Sequence, residues 1–160
     1  DGREATWLPE EMWRRSYPFD IWFVHADHGG VSHARNVALS KATADYVMFC
    51  DPDDMFCHMC GLSIIFREMA SGFDTMSSEF VEEVIRPDTG ETVFVQHKQD
   101  HTFVHGKVHR RQYLLDNDIK FNESLTVHED SYFNVLVQDL APDKEKVKYC
   151  PVDFYLWKWH

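Results

Sequence analysis

Residues 49–54 read FCDPDD, with three carboxylates (Asp51, Asp53, Asp54) in four positions directly after the apolar run YVMF. In an extended chain, positions i and i+2 point the same way. Pro52 fixes one φ angle between Asp51 and Asp53. Two preset carboxylates aimed at one spot repel each other unless a cation sits between them. Oxygen donors select hard cations such as Mg²⁺ or Mn²⁺, which keep open positions for water and substrate phosphates. A divalent-cation site built on Asp53 and Asp51 is one reading of this stretch. A solvated Asp-Pro-Asp turn with a helix cap at Asp54 is the other, and six residues do not separate the two.

Other residue types at telling places add to the inventory. Glu129 and Asp130 stand in HED, just before a stripe of helical spacing. A carboxylate there can take a proton from an attacking hydroxyl, or simply favour the first turn of a helix. Arg35 and Asn36 lie near a helix start and either face the same site or pack helix on sheet. Lys107, in HGK, is a candidate counter-charge for a phosphate. CHMC at 57–60 has zinc or redox spacing, and His101 and His105 complete a ligand set on paper. An ordinary buried thiol entering a helix is the plainer reading. Trp157 or Trp159, if close to a site, would stack on a sugar ring; otherwise they pack.

These residues need elements to hold them. FDIWFVHA (19–26) is aromatic and β-branched and predicts a strand. Val31, Ala34, Ala38 and Ala42 recur at helical spacing, with Ser32 as N-cap. DYVMFC (45–50) predicts a buried strand of a parallel sheet. Leu62, Ile65, Phe66 and Met69 predict a second helix. FDTMSSEFVEEVI and ETVFVQHK predict strands around the turn RPDTGE. RRQYLLDN predicts a short helix, Phe133, Leu136, Val137 and Leu140 a longer one, and KVKYCPVDFYLWKWH a closing strand. Alternating strands and helices argue for an α/β sandwich with a mostly parallel central sheet. Ligands bind such sheets beyond the carboxyl ends of the strands, and DPDD stands at one such end.

The composition narrows the classes of function. The chain has 160 residues, enough for a single domain over 1–160 with one core. Lys plus Arg number 16 against 27 Asp plus Glu, a net charge of -11. That field opposes nucleic-acid partners and adsorption to anionic membranes. No apolar run approaches the roughly 20 residues of a membrane span, and no signal-peptide pattern opens the sequence. Four cysteines in a chain this size do not form a disulfide framework. A reducing, cytoplasmic setting is expected.

Two blocks carry a family resemblance. GGVSHARNVALSKATADYVMFCDPDD resembles the signature of family-2 glycosyltransferases with the GT-A (Rossmann-like) fold: a Gly-rich loop, Ala-Arg-Asn opening a helix, then a strand ending in Asp-X-Asp. HGKVHRRQYLLDNDIKFNESLTVHEDSYFN resembles the family's acceptor-side segment, with a Glu-Asp pair before a helix. The resemblance covers roughly residues 19 to 160, loosely between 72 and 102. It implies an inverting, metal-dependent transfer of sugar from a nucleotide-sugar, most simply a UDP-sugar, to a glycan, lipid-linked or other hydroxyl acceptor. It also implies roles. Asp53 would hold Mn²⁺ or Mg²⁺ at the donor diphosphate, with Asp51 near the ribose. Asp54 would make a second contact, and Asp130 would be the base with Glu129 beside it. Arg35, Asn36 and Lys107 would stand on the nucleotide-sugar side, and His160 would be able to reach the metal. The family's domain opens with a strand, a helix and a second strand ending in an acidic turn. Asp1-Gly2 resembles the remnant of that turn. The domain is therefore expected to be N-terminally incomplete, with Asp1 at the nucleobase. An incomplete sheet leaves an unpaired edge, which invites a homodimer. Two other classes stay open: a GT-A-like scaffold without activity, and a zinc-stabilised interaction domain built on CHMC.

Overall fold

The computed structural model describes residues 12, 18–57, 60–141 and 143–158. Helix α1 (Gly30–Lys41) begins at a glycine with φ of 79°, a left-handed value that suits a residue without Cβ. The expected cap at Ser32 is not used. Ser32 is buried inside the first turn, and the helix start has no side-chain cap. The buried stripe is Ser32, Arg35 and Leu39, while Val31, Ala34 and Ala38 face outward. Small alanines cost little on either side of a helix. The rotation is set by Arg35, which has carboxylates to meet.

After α1 come β1 (Tyr46–Met48), β2 (Met55–Phe56) and α2 (Gly61–Met69). A long hairpin follows, β3 (Thr75–Ile85) and β4 (Thr92–His97), then β5 (Lys107–Arg110), α3 (Arg111–Asp116), α4 (Glu129–Asp139) and β6 (Val147–Lys158). The expected strand at 19–26 does not form: residues 20–29 carry no strand, and Trp22 is 80% exposed. Aromatic and β-branched composition favours a strand only where a partner supplies packing. The short strands β2 and β5 were not legible from periodicity.

The sheet runs β1-β5-β3-β6-β2, with β4 pairing the far half of β3. β1, β3 and β6 share one direction, as strand–helix–strand alternation requires. Yet β5 lies between β1 and β3 and opposes both, so β3–β6 is the one parallel pair among the described strands. The expectation of a mostly parallel sheet is met only in part: β1, β3 and β6 run one way, β2, β4 and β5 the other, and four of the five pairings are antiparallel. The edge of β1 away from β5 has no strand partner among the described residues. Clefts of about 500 and 640 Å³ open beside it, the larger lined by Tyr46, Met48, Leu62, Phe66 and Met69.

Two apolar clusters hold the layers. Leu39 of α1, Tyr113 and Leu114 of α3, and Phe133 and Val137 of α4 meet Phe49 and Phe121 in one. Ile65 of α2 meets Met76, Phe80, Val108, Phe154 and Tyr155 in the other. Gly61 allows α2 to close on β6, because a Cβ there would lie 2.3 Å from that of Phe154. No helix among the described residues is long and apolar enough to cross a membrane.

His109 is buried on β5, with Nδ1 2.9 Å from the Thr75 hydroxyl. Burial lowers its pKa from 6.5 to about 3, and the nearby Lys107 charge adds to this. The folded state thus binds fewer protons than the unfolded one between those values. His109 contributes stability that is complete above the unfolded pKa and declines as pH falls. Unfolding free energy should drop on acidification from about pH 6.5 to 5, by at most about 1.4 kcal/mol per unit for this group. Urea titrations at several pH values should show this slope flattened in His109→Gln.

Candidate active site

The polar centre of the molecule is Arg35, 8% exposed and lying over the Phe121 ring at 5.2 Å. Its Nη2 donates to both oxygens of Asp51, at 3.0 and 3.1 Å. Its Nη1 donates to Asp130 Oδ1 at 2.5 Å and lies 3.9 Å from Glu129. One guanidinium thereby ties the end of β1 to the start of α4. A planar fork can serve two carboxylates at once, which a lysine ammonium cannot match. Burial opposes the charge on Arg35, but Asp130 and Asp51 outweigh it and hold its pKa above the ordinary value.

Asp130 is fixed from a second side, because its Oδ2 accepts the Val104 N–H at 3.1 Å. One turn along α4, Asn134 donates to the carbonyls of Thr102 and Phe103. The 102–104 loop is thus pinned to the helix that carries Asp130. His128, just before α4, has a left-handed φ of 64°, rare for a non-glycine residue and costing about 1 kcal/mol or more. Burial raises the Asp130 pKa, and Arg35 and the Val104 N–H pull it back in part. The group is a carboxylate with more basicity than an exposed one.

The DPDD turn is built on β6. Tyr155 donates its hydroxyl to Asp54 Oδ2 at 2.6 Å and accepts the Asp51 N–H at 3.2 Å. The Lys158 N–H donates to Asp54 Oδ1 at 3.0 Å. Desolvation, then the Asp54 bond, raises the Tyr155 pKa and keeps it a donor. Oxygens of Asp51 and Asp54 and a ring nitrogen of His105 lie within 4.8 Å of one another. The His105 Nδ1 is buried without a hydrogen-bond partner, 3.7 Å from Asp54. Burial lowers the His105 pKa, so the ring is neutral and can offer a lone pair. Asp54, its side chain 1% exposed and both its oxygens already accepting bonds, holds the turn. Asp53 is exposed at the tip of the same turn. Asp51, Asp53 and Asp54 all act electrostatically on the adjacent Cys50 thiol, after burial, in raising its pKa. Of the carboxylates here, Asp51, Asp130 and the more distant Glu129 face the Arg35 guanidinium, and Asp51, Asp54 and His105 are the described residues whose ligand-type atoms group together.

The structure brings together Arg35, Asp51, Glu129 and Asp130, with Asp53 and Asp54 on the turn that follows Asp51. Two other expected site residues lie elsewhere. Asn36 donates to Phe121 O and Glu123 and accepts the Phe121 N–H, so it latches α1 to the 121–123 loop rather than facing a nucleotide. Lys107 is buried and donates to the Phe103 carbonyl, with Asp100 at 3.6 Å. Its charge is spent inside the 100–104 loop, where a phosphate cannot reach it. Asp1 and His160 lie outside the described residues. Cys57 donates weakly to Asp153 O, and no Cys-containing ligand group forms among the described residues. Tyr155 and Asn134 were missed, and His105 was named only as a partner of the cysteines, not of the acidic turn. Asn134 had a readable signal, the i, i+4 spacing from Asp130 on one helix face.

The fold is that of the glycosyltransferase TarS of Staphylococcus aureus. The solved structure of its residues 1–349 superposes with a TM-score of 0.70 at 21% identity, over 93% of this chain and 46% of that one. Its complex with UDP-GlcNAc gives the same score over 94% and 45%. In sequence, the poly(ribitol-phosphate) beta-N-acetylglucosaminyltransferase TarS is 26% identical over 138 residues, 78% of this chain and 23% of that protein. The minor teichoic acid biosynthesis protein GgaB of Bacillus subtilis is 34% identical over 55 residues, 34% and 6% respectively. The succinoglycan biosynthesis protein ExoM of Rhizobium meliloti is 44% identical over 41 residues, 26% and 13%. No protein-family model matches the chain. The chain spans less than a quarter of each of these sequence relatives, and glycosyltransferases are what it resembles in both sequence and fold.

Removing the guanidinium would leave Asp51 and Asp130 facing each other half-buried. Arg35→Met should lower unfolding free energy by about 2–4 kcal/mol in urea titration, near the loss for a broken buried pair. Arg35→Lys should fall between that variant and the parent, and an unchanged midpoint for Arg35→Met would remove the clamp from the structural argument.

Proposed function

We propose that this chain carries the metal-side and base-side parts of an inverting transferase site acting on a nucleotide-sugar. The observation that carries the reading is the Arg35 fork between Asp51 and Asp130, at 3.0 and 2.5 Å. It joins the acidic turn after β1 to a carboxylate whose pKa burial has raised. TarS, in complex with UDP-GlcNAc, supplies the donor class.

In this reading Asp53 and Asp51 hold the cation, while Asp54, fixed by Tyr155 and Lys158, keeps the turn in place. His105 stands behind them as a neutral ring. A divalent cation, when bound, offsets the charge that grows on a departing diphosphate. Asp130 takes the proton of the acceptor hydroxyl while that oxygen bonds to the anomeric carbon and the bond to the diphosphate breaks. The electron pair leaves with the diphosphate and the proton stays on Asp130. One displacement of this kind inverts the anomeric centre. Arg35 keeps Asp130 ionised and aimed without entering the bond changes.

The test is release of UDP from UDP-GlcNAc with Mn²⁺, beside calorimetry of UDP binding. Asp130→Asn should cut turnover by roughly 10²-fold and leave UDP affinity nearly unchanged. Retained turnover would remove Asp130 as base. UDP binding should fail in excess chelator. Asp53→Asn should weaken that metal-dependent binding more than Asp54→Asn, whereas Asp54→Asn, which loses the Tyr155 and Lys158 contacts, should lower thermal stability. Metal-dependent UDP binding without turnover would favour a binding module on the same fold.

A further inference from the structure

Trp157 sits where the two halves of the site meet. It lies between Tyr155 and Lys158, both of which hold Asp54. Its ring centroid is 4.8 Å from that of Phe103 and 5.1 Å from that of His105. Phe103 precedes Val104, whose N–H holds Asp130. Trp157 and Phe103 are both part-exposed, and their packed rings connect the strand that holds the acidic turn with the loop that holds the base.

The surface continues outward across the sheet. Alternation puts Tyr155 and Trp157 on one face of β6. Glu82 is the registered neighbour of Trp157 on β3, and Val95 is that of Glu82 on β4. Glu82 pairs with His97 at 2.7 Å, and both remain part-exposed. Two strand spacings make this ledge roughly 10 Å wide. Ring faces take the C–H face of a pyranose, since an aromatic body is apolar and its edge polar. A carboxylate beside them accepts hydroxyl hydrogen bonds. Among the described residues the ion pair of Glu82 is with His97, in a chain of net charge -11. That field disfavours a phosphate-bearing acceptor.

Resting on the transferase reading above, we propose that Trp157, Phe103 and the Glu82–His97 pair form the acceptor subsite, and that its ligand is an uncharged saccharide chain. The acceptor lays one sugar unit over Trp157 with a hydroxyl toward Asp130, and the next unit over Glu82.

Saturation-transfer NMR on the full chain tests this. The probes are uncharged gluco-, galacto- and manno-oligosaccharides at millimolar concentration, and a glycerol-phosphate oligomer. At least one uncharged oligosaccharide should bind, and the phosphate oligomer should not. Trp157→Ala should weaken saccharide binding by about tenfold or more, as loss of an aromatic anchor does. Trp157→Phe should restore most of it, which a folding defect would not allow. Glu82→Gln should fall between. Calorimetric UDP affinity with Mn²⁺ should be unchanged in both Trp157 variants. Stronger binding of the phosphate oligomer, no binding by any uncharged saccharide, or full affinity in Trp157→Ala would overturn the proposal. Saccharide binding without UDP binding in the parent chain would instead remove the transferase reading alone.

Discussion

A guanidinium with 9% of its side chain exposed must be neutralised where it stands. Arg35 meets that demand with Asp51 and Asp130, and much else depends on it. Helix α1 turns its polar stripe inward and leaves alanines outside. Phe121 closes over the guanidinium, and Asn36, the next residue of the helix, fastens the Phe121 loop through three hydrogen bonds. The chain turns through a left-handed His128 to bring Glu129 and Asp130 to the same point. Remove the cation and both carboxylates lose the partner that justifies their burial.

The second constraint is the excess of acid. DPDD would open by self-repulsion if left to its own chain, and strand β6, about a hundred residues later, prevents this. The Tyr155 hydroxyl and the Lys158 N–H between them occupy both oxygens of Asp54. The turn is therefore preset with Asp53 at its exposed tip. One carboxylate of the cluster is thus tied into the architecture by the last strand. The same strand carries Trp157 across to the loop of Asp130, so β6 links the turn, the base and the ledge between them.

The parts of the site that were legible in the sequence were local in the chain. Asp51, Asp53 and Asp54 announce themselves by spacing, and Glu129-Asp130 by standing before a helical stripe. Arg35 was legible as a residue near the site but not in its partners, because its contacts span 16 and 95 positions. Tyr155 was missed for the same reason, since a tyrosine in an aromatic strand has no local mark of a hydrogen bond to a distant aspartate, and His105 was matched to the cysteines rather than to Asp54. Asn36 and Lys107 carry suitable chemistry but are consumed by the loops they hold. In the fold, the four α-helices between Gly30 and Asp139 and the β3–β4 hairpin were expected from the sequence. The insertion of β5 between β1 and β3 was not, because four residues show no period. The strand expected at 19–26 failed because composition cannot reveal whether a partner strand is present.

The central claim is that Arg35 holds Asp51 and Asp130 simultaneously in one fixed fork. The most direct measurement is ¹⁵N NMR of the Arg35 guanidinium in the folded chain. Restricted rotation should give separate Nη1 and Nη2 resonances, with the Nη1 signal moving in Asp130→Asn and the Nη2 signal in Asp51→Asn. A single averaged Nη resonance, insensitive to either substitution, would contradict the fork and with it the common site built on it.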